Sequence, residues 1–301
     1  MTRPETRAAT LPPKRPLKRL EIWLRGDAPA EIRRRGARVS QSEAPWGHHA
    51  PTRAQRRIIG LARSLPVFRA AIRIHAALWL DNLRPGPIDD LLFGARIRFY
   101  PMLAASFRHM LLSPDAYEAE ERAFLAAHVG DGAFVDIGAN AGIYSLSAAG
   151  YWPGRPVIAF EPLDLFAGIL ERNAAMAGFA HLRVVRAAAG GEDGTLEFSP
   201  SQQSVAYGAD AVKVPSRSLL SVLREQGIGQ VAALKIDAEC IEDQILYPFF
   251  EGAPEALWPR AIVIEYAGGA LWQRDCMALL ARQGYREIFR NRLNAGLVRA
   301  P

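Results

Sequence analysis

The chain has 301 residues, half of them apolar and 23% charged, which is enough to bury one or two sizeable cores. Its net charge of +6 is unevenly divided, because residues 1–80 carry 17 Lys or Arg and 5 Asp or Glu, whereas residues 81–301 carry 20 and 26. This composition excludes a uniformly basic protein and assigns the surplus charge to the N-terminal segment. We expect that segment either to contact an anionic partner, such as a membrane surface, a nucleic acid or a polyanionic glycan, or to be a solvated arm.

Cys240 and Cys276 are the two cysteines, and their spacing matches neither a metal site nor a redox motif. So low a thiol content is typical of a reducing compartment, and no apolar secretory signal follows the first residue. Residues 58–80 come nearest to a membrane span, but three arginines and a proline within them disfavour one. They are predicted to be a packing helix with a charged face or a basic helix lying on a surface. The sequence therefore predicts a cytoplasmic protein without a transmembrane segment or a specific nucleic-acid site.

The first 130 residues are predicted to form two parts. Residues 1–56 are rich in proline and arginine and should be a flexible arm. This arm contains His48 and His49, a pair for which the sequence places no third metal ligand. Residues 57–130 should form an extension that packs on the following domain, beginning with a helix over residues 54–80.

The rest of the extension is predicted to be a hairpin followed by a helix. Residues 87–100 should be extended, with Gly94 in the turn. Ser113 is placed to cap a helix over residues 114–128. The first turns of that helix are acidic, which suits the positive end of the helix dipole.

Residues 131–301 alternate between short apolar runs and helix-like segments, which is typical of an α/β domain. Parallel strands are predicted at residues 133–137, 157–160, 182–187, 231–236 and 261–265. Helices are predicted at residues 143–149, 163–177, 241–250 and 272–283, and a final antiparallel hairpin at residues 285–289 and 293–299. Apolar strands of this kind are buried on both faces. The predicted fold is therefore a doubly wound, mostly parallel sheet with the strand order 3-2-1-4-5.

The first of these strands leads into a glycine-containing loop, residues 136–142 (DIGANAG), just before a helix. Gly138 and Gly142 permit backbone conformations that let the loop approach a ligand at the helix N-terminus. The next strand is followed by Glu161, 19 residues after Gly142. A carboxylate there suits hydrogen bonds to both hydroxyls of a ribose. The alternative is a plain strand–turn–helix without a ligand.

Two kinds of nucleotide cofactor would suit this arrangement. Asp136, at the end of the strand, would repel a pyrophosphate but not the aminoacyl sulfonium of S-adenosyl-L-methionine. The loop also lacks the third glycine of the dinucleotide fingerprint. These two features favour S-adenosyl-L-methionine, and a dinucleotide-dependent enzyme on the same fold is the alternative.

The fourth parallel strand leads into three charged residues, Lys235, Asp237 and Glu239. Their period of two places them on one side if the strand stays extended, and the strand order brings Asp237 near Asp136 at the edge where ligands bind. Glu265 follows at the end of the fifth strand. Acids that converge at strand ends predict an active site. The alternative is a structural ion-pair network around Lys235, which could offset the nearby carboxylates.

Three blocks in this order resemble the FkbM family of methyltransferases, namely residues 134–142 (FVDIGANAG), 160–162 (FEP) and 235–239 (KIDAE). Residues 93–101 (FGARIRFYP) are similar too, and the resemblance covers about residues 90–290. It implies a Rossmann-like class I methyltransferase fold. It also implies transfer of a methyl group from S-adenosyl-L-methionine, usually to a hydroxyl of a sugar or polyketide.

The resemblance further implies roles for individual residues. Cofactor binding would involve Asp136, Gly138, Ala139, Asn140, Gly142, Glu161 and Pro162, with Glu161 holding the ribose. Asp237 and Glu239 would lie next to the acceptor, with Lys235 beside them, and either acid is a candidate general base. No complete set of metal ligands is readable, so no metal site is predicted, although a metal-assisted reaction could use the same carboxylates.

The chain departs from the family pattern at two places. Cys240 stands where Gly is usual after the acid of the last block, and residues 218–220 (SLL) lack the acid of the usual Thr-Leu-Asp. Residues 202–207 lie in an insert between strands three and four that either shapes the acceptor pocket or is an ordinary surface loop.

Three functional hypotheses follow from these residues. The first is a methyltransferase that acts on a hydroxyl of a sugar, glycan or polyketide-like acceptor. The second is an NAD(P)-dependent oxidoreductase on a Rossmann-like fold. The third is a non-catalytic protein that only binds the cofactor, for which the two departures from the family pattern are the sequence support.

Overall fold

The computed structural model describes residues 44–64, 76–77, 79–128, 130–198 and 212–299. The predicted insert at residues 202–207, most of the basic arm and the middle of the helix predicted over residues 54–80 lie outside them. Among the helices that are described, none is long and apolar enough to cross a membrane.

The described residues alternate between helices and strands from residue 133 onward. The helices are α1 (Arg53–Ser64), α2 (Ala105–Leu112), α3 (Ala119–Ala127), α4 (Ile143–Tyr151), α5 (Asp164–Ala177), α6 (Leu219–Glu225), α7 (Glu242–Gly252) and α8 (Cys276–Arg282). The strands are β1 (Ile88–Leu92), β2 (Ala95–Phe99), β3 (Ala133–Ile137), β4 (Val157–Phe160), β5 (Leu182–Val185), β6 (Ala188–Gly190), β7 (Gly194–Phe198), β8 (Val212–Ser218), β9 (Val231–Ile236), β10 (Ala261–Glu265), β11 (Tyr285–Arg290) and β12 (Asn294–Arg299). Residues 79–83 are also helical, and Glu255–Leu257 and Gly269–Leu271 are short 3₁₀ helices.

A sheet of seven strands forms the centre of the molecule, in the order β11-β12-β10-β9-β3-β4-β5. The five strands from β10 to β5 are parallel, and β12 is antiparallel to both of its neighbours. Every residue of β3, β4 and β9 is buried, because helices cover both faces of the sheet. The predicted doubly wound α/β sheet with a final antiparallel hairpin is confirmed. The strand order reverses between β3 and β9, so ligands are expected at the carboxyl ends of these two strands.

A second sheet, β6-β8-β7, was not predicted. The single strand predicted over residues 182–187 was wrong in its last part, because β5 ends at Val185 and a turn follows. In that turn the Ala187 amide donates to the Val185 carbonyl over 2.8 Å. The chain then continues as β6, which pairs with β8 rather than with the main sheet.

The prediction that Ser113 starts a helix was also wrong. Ser113 lies at the C-terminal end of α2, where its amide donates to the His109 carbonyl over 2.9 Å. The next helix, α3, begins at Ala119, after Glu118 in a left-handed conformation (φ +49°). Phe107 and the three residues before Ser113 are fully buried, so α2 forms because its apolar face packs on the core.

The last helix is shorter than the predicted segment 272–283. Helix α8 begins at Cys276, because the carboxylate of Asp275 accepts from the Ala278 amide over 3.0 Å and caps the helix there. Trp272 lies before this cap, and its indole donates to Glu242 over 2.6 Å.

The hairpin of β1 and β2 is confirmed and lies against helix α5 of the main domain. The Arg98 amide donates to Oδ1 of Asn173 over 2.9 Å, and the Asn173 amide group donates back to the Arg98 carbonyl over 3.2 Å. Asn173 therefore completes the hydrogen bonds of a strand edge that is buried. Behind it, the rings of Phe107 and Phe166 stack at 6.4 Å.

A buried ion pair inside this hairpin holds the preceding segment in place. The guanidinium of Arg98 binds Asp89 through two bonds of 2.7 and 3.0 Å, and both side chains are excluded from solvent. Arg98 also donates to the carbonyls of Ala44 and Pro45, while Asp89 accepts from the amides of residues 47 and 49. Burial alone would raise the pKa of Asp89, but the bonds from Arg98 and the two amides hold it below its usual value.

We expect Arg98→Met to lower the free energy of unfolding by about 3–5 kcal/mol, because it leaves the Asp89 carboxylate buried without its counter-ion. Urea unfolding near neutral pH measures this loss. The loss should shrink at acid pH, because protonation of Asp89 removes the unpaired charge. A change in the free energy of unfolding below about 1 kcal/mol, the value for exposed ion pairs, would contradict the role of the pair.

Candidate active site

A cavity of about 320 Å³ opens at the carboxyl ends of β3, β4, β9 and β10. Its wall includes five of the seven predicted cofactor residues: Gly138, Ala139, Asn140, Glu161 and Pro162. The three predicted catalytic residues, Lys235, Asp237 and Glu239, also line it, together with Glu265. The structure therefore brings together acids that lie up to 104 residues apart in the sequence, Glu161 and Glu265, at the edge that the strand order indicated.

The two glycines of the loop are explained by backbone geometry. Gly138 has φ +78°, and a Cβ there would collide with the carbonyl oxygen of Asp237. Gly142 has φ +85°, and a Cβ there would collide with Leu170 of α5. Gly142 does not line the cavity, so this glycine serves the packing of the loop on α5. Gly138 serves the close approach of β3 and β9 at the cavity floor.

Asp136 lies beneath the loop, outside the cavity wall, and is only 1% exposed. Its carboxylate accepts from the backbone amide of Ser145 over 3.0 Å and from the Ser145 hydroxyl. Burial raises the pKa of Asp136 to about 6, although the bonds from Ser145 and the charge of Lys235 lower it. Because Asp136 occupies a donor in the first turn of α4, that helix end offers less to a pyrophosphate than a dinucleotide-binding loop does.

Glu161 combines burial with access to the cavity. Its two oxygens accept from the backbone amides of Asn140 (2.8 Å) and Leu163 (2.9 Å). Burial raises the pKa of Glu161 to about 7, although these two bonds lower it. Each carboxylate oxygen can accept a further hydrogen bond. A ribose diol in the cavity would supply two such donors, so this side chain fits the ribose of S-adenosyl-L-methionine.

Lys235, Asp237 and Glu265 form a charged group at the ends of β9 and β10. Lys235 is 2% exposed, and its ammonium lies 3.3 Å from Oδ2 of Asp237 and over the ring of Tyr144. Burial alone would raise the pKa of Asp237, but Lys235 and a hydrogen bond with Glu265 lower it. Burial and the neighbouring Asp237 carboxylate raise the pKa of Glu265. The ion pair with Lys235 and the hydrogen bond between the two carboxyls therefore favour an ionised Asp237 and a protonated Glu265.

Strand β9 ends at Ile236, so the expected alternation does not continue to Glu239. Glu239 and Cys240 both have left-handed backbone conformations, with φ +56° and +77°. Glu239 is exposed and reaches the cavity wall through this turn. The left-handed turn also explains why Gly is usual at the position of Cys240.

Replacement of Cys240 by Gly is expected to raise the free energy of unfolding by about 1 kcal/mol, because Gly adopts φ +77° without the strain of a Cβ. Denaturant unfolding of Cys240→Gly and Cys240→Ala separates this effect from the loss of the thiol. The alanine variant keeps the Cβ and should not be stabilised. Equal stability of the two variants would show that backbone strain is not the cause.

A third carboxylate, Glu242, lies close to this group. Within the described residues, Asp237, Glu242 and Glu265 place one oxygen each within 4.8 Å of one another, a spacing that could hold a cation. Both oxygens of Glu242 already accept bonds, from the Ala238 amide (2.7 Å) and the Trp272 indole (2.6 Å). Glu242 therefore serves first to fix the turn that carries Glu239.

The extension supplies one side of the cavity, a contribution that no sequence pattern indicated. Ser106 and His109 of α2 line it together with Tyr117 and Glu118 from the following turn. The Ser106 hydroxyl donates to Oδ1 of Asn140 over 2.9 Å, which joins the extension to the cofactor loop. Ser106 and His109 are three residues apart and share a helix face. A prediction of helix α2 from the sequence would have indicated Ser106 and His109, but the apolar pattern of α2 is too short to predict a separate helix.

The second departure from the family pattern lies outside this cavity. Ser218 precedes α6 and accepts weakly from the Ser221 amide at 3.5 Å. Asp193, from the turn between β6 and β7, accepts from the Ser218 amide (2.7 Å) and the Ser221 hydroxyl (2.9 Å). An acid from another part of the chain thus fixes the start of α6, although residues 218–220 contain none.

Comparison with known proteins adds independent findings. Residues 136–287, half of the chain, match the methyltransferase FkbM domain. The methyltransferase sdnD of Sordaria araneosa is 26% identical over 198 residues, which cover 52% of this chain and 74% of sdnD. Among solved structures, the human methyltransferase 10 domain containing protein has a TM-score of 0.44 and 15% identity, over 77% of this chain and 97% of that one. TYW2 of M. jannaschii in complex with AdoMet has a TM-score of 0.37 and 13% identity, over 71% and 87%.

The match to the FkbM domain begins at Asp136 and ends in β11, so it contains the glycine loop, Glu161 and the charged group of β9 and β10. The predicted resemblance is confirmed, and so are the predicted fold and cofactor. The chain belongs to the FkbM family of methyltransferases, whose methyl donor is S-adenosyl-L-methionine.

Proposed function

We propose that this methyltransferase transfers the methyl group to a hydroxyl oxygen of a sugar, glycan or polyketide-like acceptor. The observation that carries the proposal is the Asp237 carboxylate, which lines the cavity from the end of β9, is 38% exposed and lies 3.3 Å from the buried ammonium of Lys235. A hydroxyl is a poor nucleophile and needs a base to take its proton. An amine acceptor that is already unprotonated needs no such base.

Asp237 is the general base in this proposal. Glu161 and the loop at residues 138–140 would hold S-adenosyl-L-methionine, which would supply the methyl group from its sulfonium and leave as S-adenosylhomocysteine. The acceptor hydroxyl donates to an Asp237 oxygen, and its proton passes to that oxygen as the acceptor oxygen attacks. The enzyme otherwise contributes by holding the acceptor oxygen in line with the methyl carbon.

Lys235 and Glu265 act through Asp237 as positioning residues. The ammonium of Lys235 is buried, so its ion pair fixes the Asp237 carboxylate and keeps it ionised. Protonated Glu265 donates a hydrogen bond to Asp237, and the other lone pairs of Asp237 remain for the acceptor hydroxyl. Glu239 is the second candidate for the base, since it lines the same cavity and is exposed.

The charges around the cavity support a neutral acceptor. Five carboxyl side chains (Glu118, Glu161, Asp237, Glu239 and Glu265) line it with a single lysine, Lys235. Even with Glu265 protonated and Glu161 partly protonated, the acids outnumber Lys235, which suits the net positive charge of S-adenosyl-L-methionine and would repel a phosphate or carboxylate near the reacting oxygen. Hydroxyl groups can donate to carboxylates, so a polyhydroxylated acceptor suits this wall.

Binding and turnover assays test the proposal in two stages. Calorimetric titration should show binding of S-adenosyl-L-methionine and S-adenosylhomocysteine but not of NAD. Incubation with methyl-labelled cofactor and a panel of sugars, glycans and phenolic polyketides should then yield a product whose label NMR assigns to an O–CH₃ group. A label on nitrogen or carbon would contradict O-methylation. Binding of NAD alone would favour the oxidoreductase alternative, against which the capping of α4 by Asp136 already argues.

A further inference from the structure

The exposed apolar side chains of the described residues are concentrated at the extension. Eight large apolar side chains are exposed in this part of the chain, and five of them lie on the extension or against it: Leu61, Trp79, Leu83, Leu91 and Tyr151. Tyr151 belongs to α4, but its ring lies 6.0 Å from that of Phe93 in the hairpin turn. Single exposed leucines are normal, whereas a concentration on adjoining elements marks an interaction surface.

Hydrogen bonds and an ion pair show that these elements adjoin. The side chain of Gln55 in α1 donates to the carbonyls of Leu80 (3.2 Å) and Arg84 (3.4 Å), which joins α1 to the helical residues 79–83. At the other end of α1, Arg63 binds Asp90 of β1 at 3.0 Å. Helix α1 therefore lies between the helical segment that carries Trp79 and the strand that carries Leu91.

This part of the surface is also basic. Helix α1 contains four arginines and no acidic residue, and Arg53, Arg56 and Arg57 are exposed. Residues 44–64 and 79–99 together contain seven arginines and three aspartates. Two of those aspartates are already paired with arginine, in the Asp89–Arg98 and Asp90–Arg63 ion pairs. The remaining surplus is positive, whereas residues 81–301 as a whole carry six more acids than bases.

Trp79 and Leu83 give the surface an apolar ridge. They lie four residues apart on the helical segment and are 60% and 51% exposed, while Leu80 between them is buried in the core. Residues four apart share one face of a helix, so the indole and the leucine point outward together. Exposed tryptophan and leucine beside arginines are typical of helices that lie in the interface of a membrane.

We propose that the basic apolar face, made of Arg53, Arg56, Arg57, Leu61, Trp79 and Leu83, docks the protein on a bilayer that contains anionic phospholipids. Each arginine near such a surface contributes attraction, and the apolar ridge enters the headgroup region. The acidic surplus of the remaining chain is repelled, which orients the molecule. Two copies joined through this face would set arginine against arginine. A single-stranded nucleic acid could stack a base on the indole, but the exposed leucines of the same face suit lipid rather than bases.

Sedimentation with vesicles tests the proposal on the full-length chain. Vesicles of phosphatidylcholine mixed with phosphatidylglycerol should bind the protein, and vesicles of phosphatidylcholine alone should bind it far less. Arg53→Glu/Arg56→Glu/Arg57→Glu should weaken binding to the mixed vesicles by about 100-fold or more, since each basic residue contributes about 1 kcal/mol. Trp79→Ser/Leu83→Ser, with all arginines retained, should weaken it by about tenfold or more, because the ridge no longer enters the bilayer.

A matched variant controls for the loss of charge alone. Arg183, Arg224 and Arg286 are exposed on the main domain, and their joint replacement by Glu should lower vesicle binding far less than the α1 variant does. Thermal unfolding of every variant checks that it folds. Full vesicle binding by the Trp79→Ser/Leu83→Ser variant would overturn the proposal, because it would show that the arginines bind an anionic surface by charge alone and that the apolar ridge does not enter the bilayer. A change of oligomeric state in that variant, with no change in vesicle binding, would overturn it in favour of a second copy.

Discussion

Replacement of Glu161 by Ala is expected to weaken binding of S-adenosyl-L-methionine by about 100- to 1,000-fold. Two hydrogen bonds from the ribose to a carboxylate contribute about 1.5–3 kcal/mol each, partly offset by the desolvation of the ribose hydroxyls on binding. Calorimetric titration measures the change in Kd. Glu161→Gln is the matched variant, because its side-chain oxygen can still accept a bond while the charge is gone, so its loss should be smaller. A loss below tenfold in Glu161→Ala would show that the ribose does not bind there.

The raised pKa of Glu161 makes this binding depend on pH. Because the pKa of Glu161 is about 7, roughly half of the free protein molecules carry a protonated Glu161 at pH 7. Ribose donors and the positive cofactor favour the ionised form and lower the pKa, so binding should release a fraction of a proton. Affinity should therefore rise between about pH 6 and 8 and then level off. Titration in buffers of different ionisation enthalpy measures the proton release, which should be absent in Glu161→Gln.

The same shift affects the stability of the free protein in the opposite direction. Because the folded state holds the Glu161 proton more tightly than the unfolded state, the free energy of unfolding should fall as the pH rises from the ordinary pKa of 4.5 through about 7. Glu161→Gln removes this dependence, so the free protein should become more stable than wild type above pH 7. Bound cofactor should restore part of the difference in wild type.

Asp237→Asn is expected to lower kcat for O-methylation by about 100- to 10,000-fold, with cofactor affinity changed only a few-fold. General base catalysis contributes a factor in that range to the rate, and an amide of the same shape cannot take the acceptor proton. Glu239→Gln decides between the two candidate bases, since it should leave most of kcat intact if Asp237 is the base. A larger loss in Glu239→Gln than in Asp237→Asn would reverse the assignment.

Two further variants complete this comparison. Glu265→Gln can still donate a hydrogen bond to Asp237, so it should retain much of the activity. Wild-type activity should change at alkaline pH, where Glu265 loses its proton, and this change should be absent from the pH profile of Glu265→Gln. Glu197→Gln, an exposed change on β7 away from the cavity, is the control and should behave as wild type. If Glu265→Gln showed the same change in activity at alkaline pH as wild type does, Glu265 would not be the group that holds the proton.

The parallel strands and the acids at their ends follow from the sequence by itself. The predicted bounds of β3, β4, β9 and β10 agree with the structure. A strand that is buried on both faces needs a short apolar run, and glycines or charged residues interrupt the sequence where that run ends. Asp136, Glu161 and Asp237 stand at these interruptions. A known strand order then places the acids at one edge. Fold class and the region of the cavity are thus encoded locally.

The contacts within the cavity were decided by the tertiary structure. The hydrogen bond between Asp237 and Glu265 depends on how β9 and β10 align, and the placement of Asp136 beneath the loop depends on the first turn of α4. Helix α2 and Ser106 could not be placed from the sequence, because an eight-residue helix has little intrinsic stability and forms only where its apolar face is buried. Periodicity and turn residues specify local elements, whereas contacts between distant segments depend on packing, and packing joined the extension to the cofactor loop.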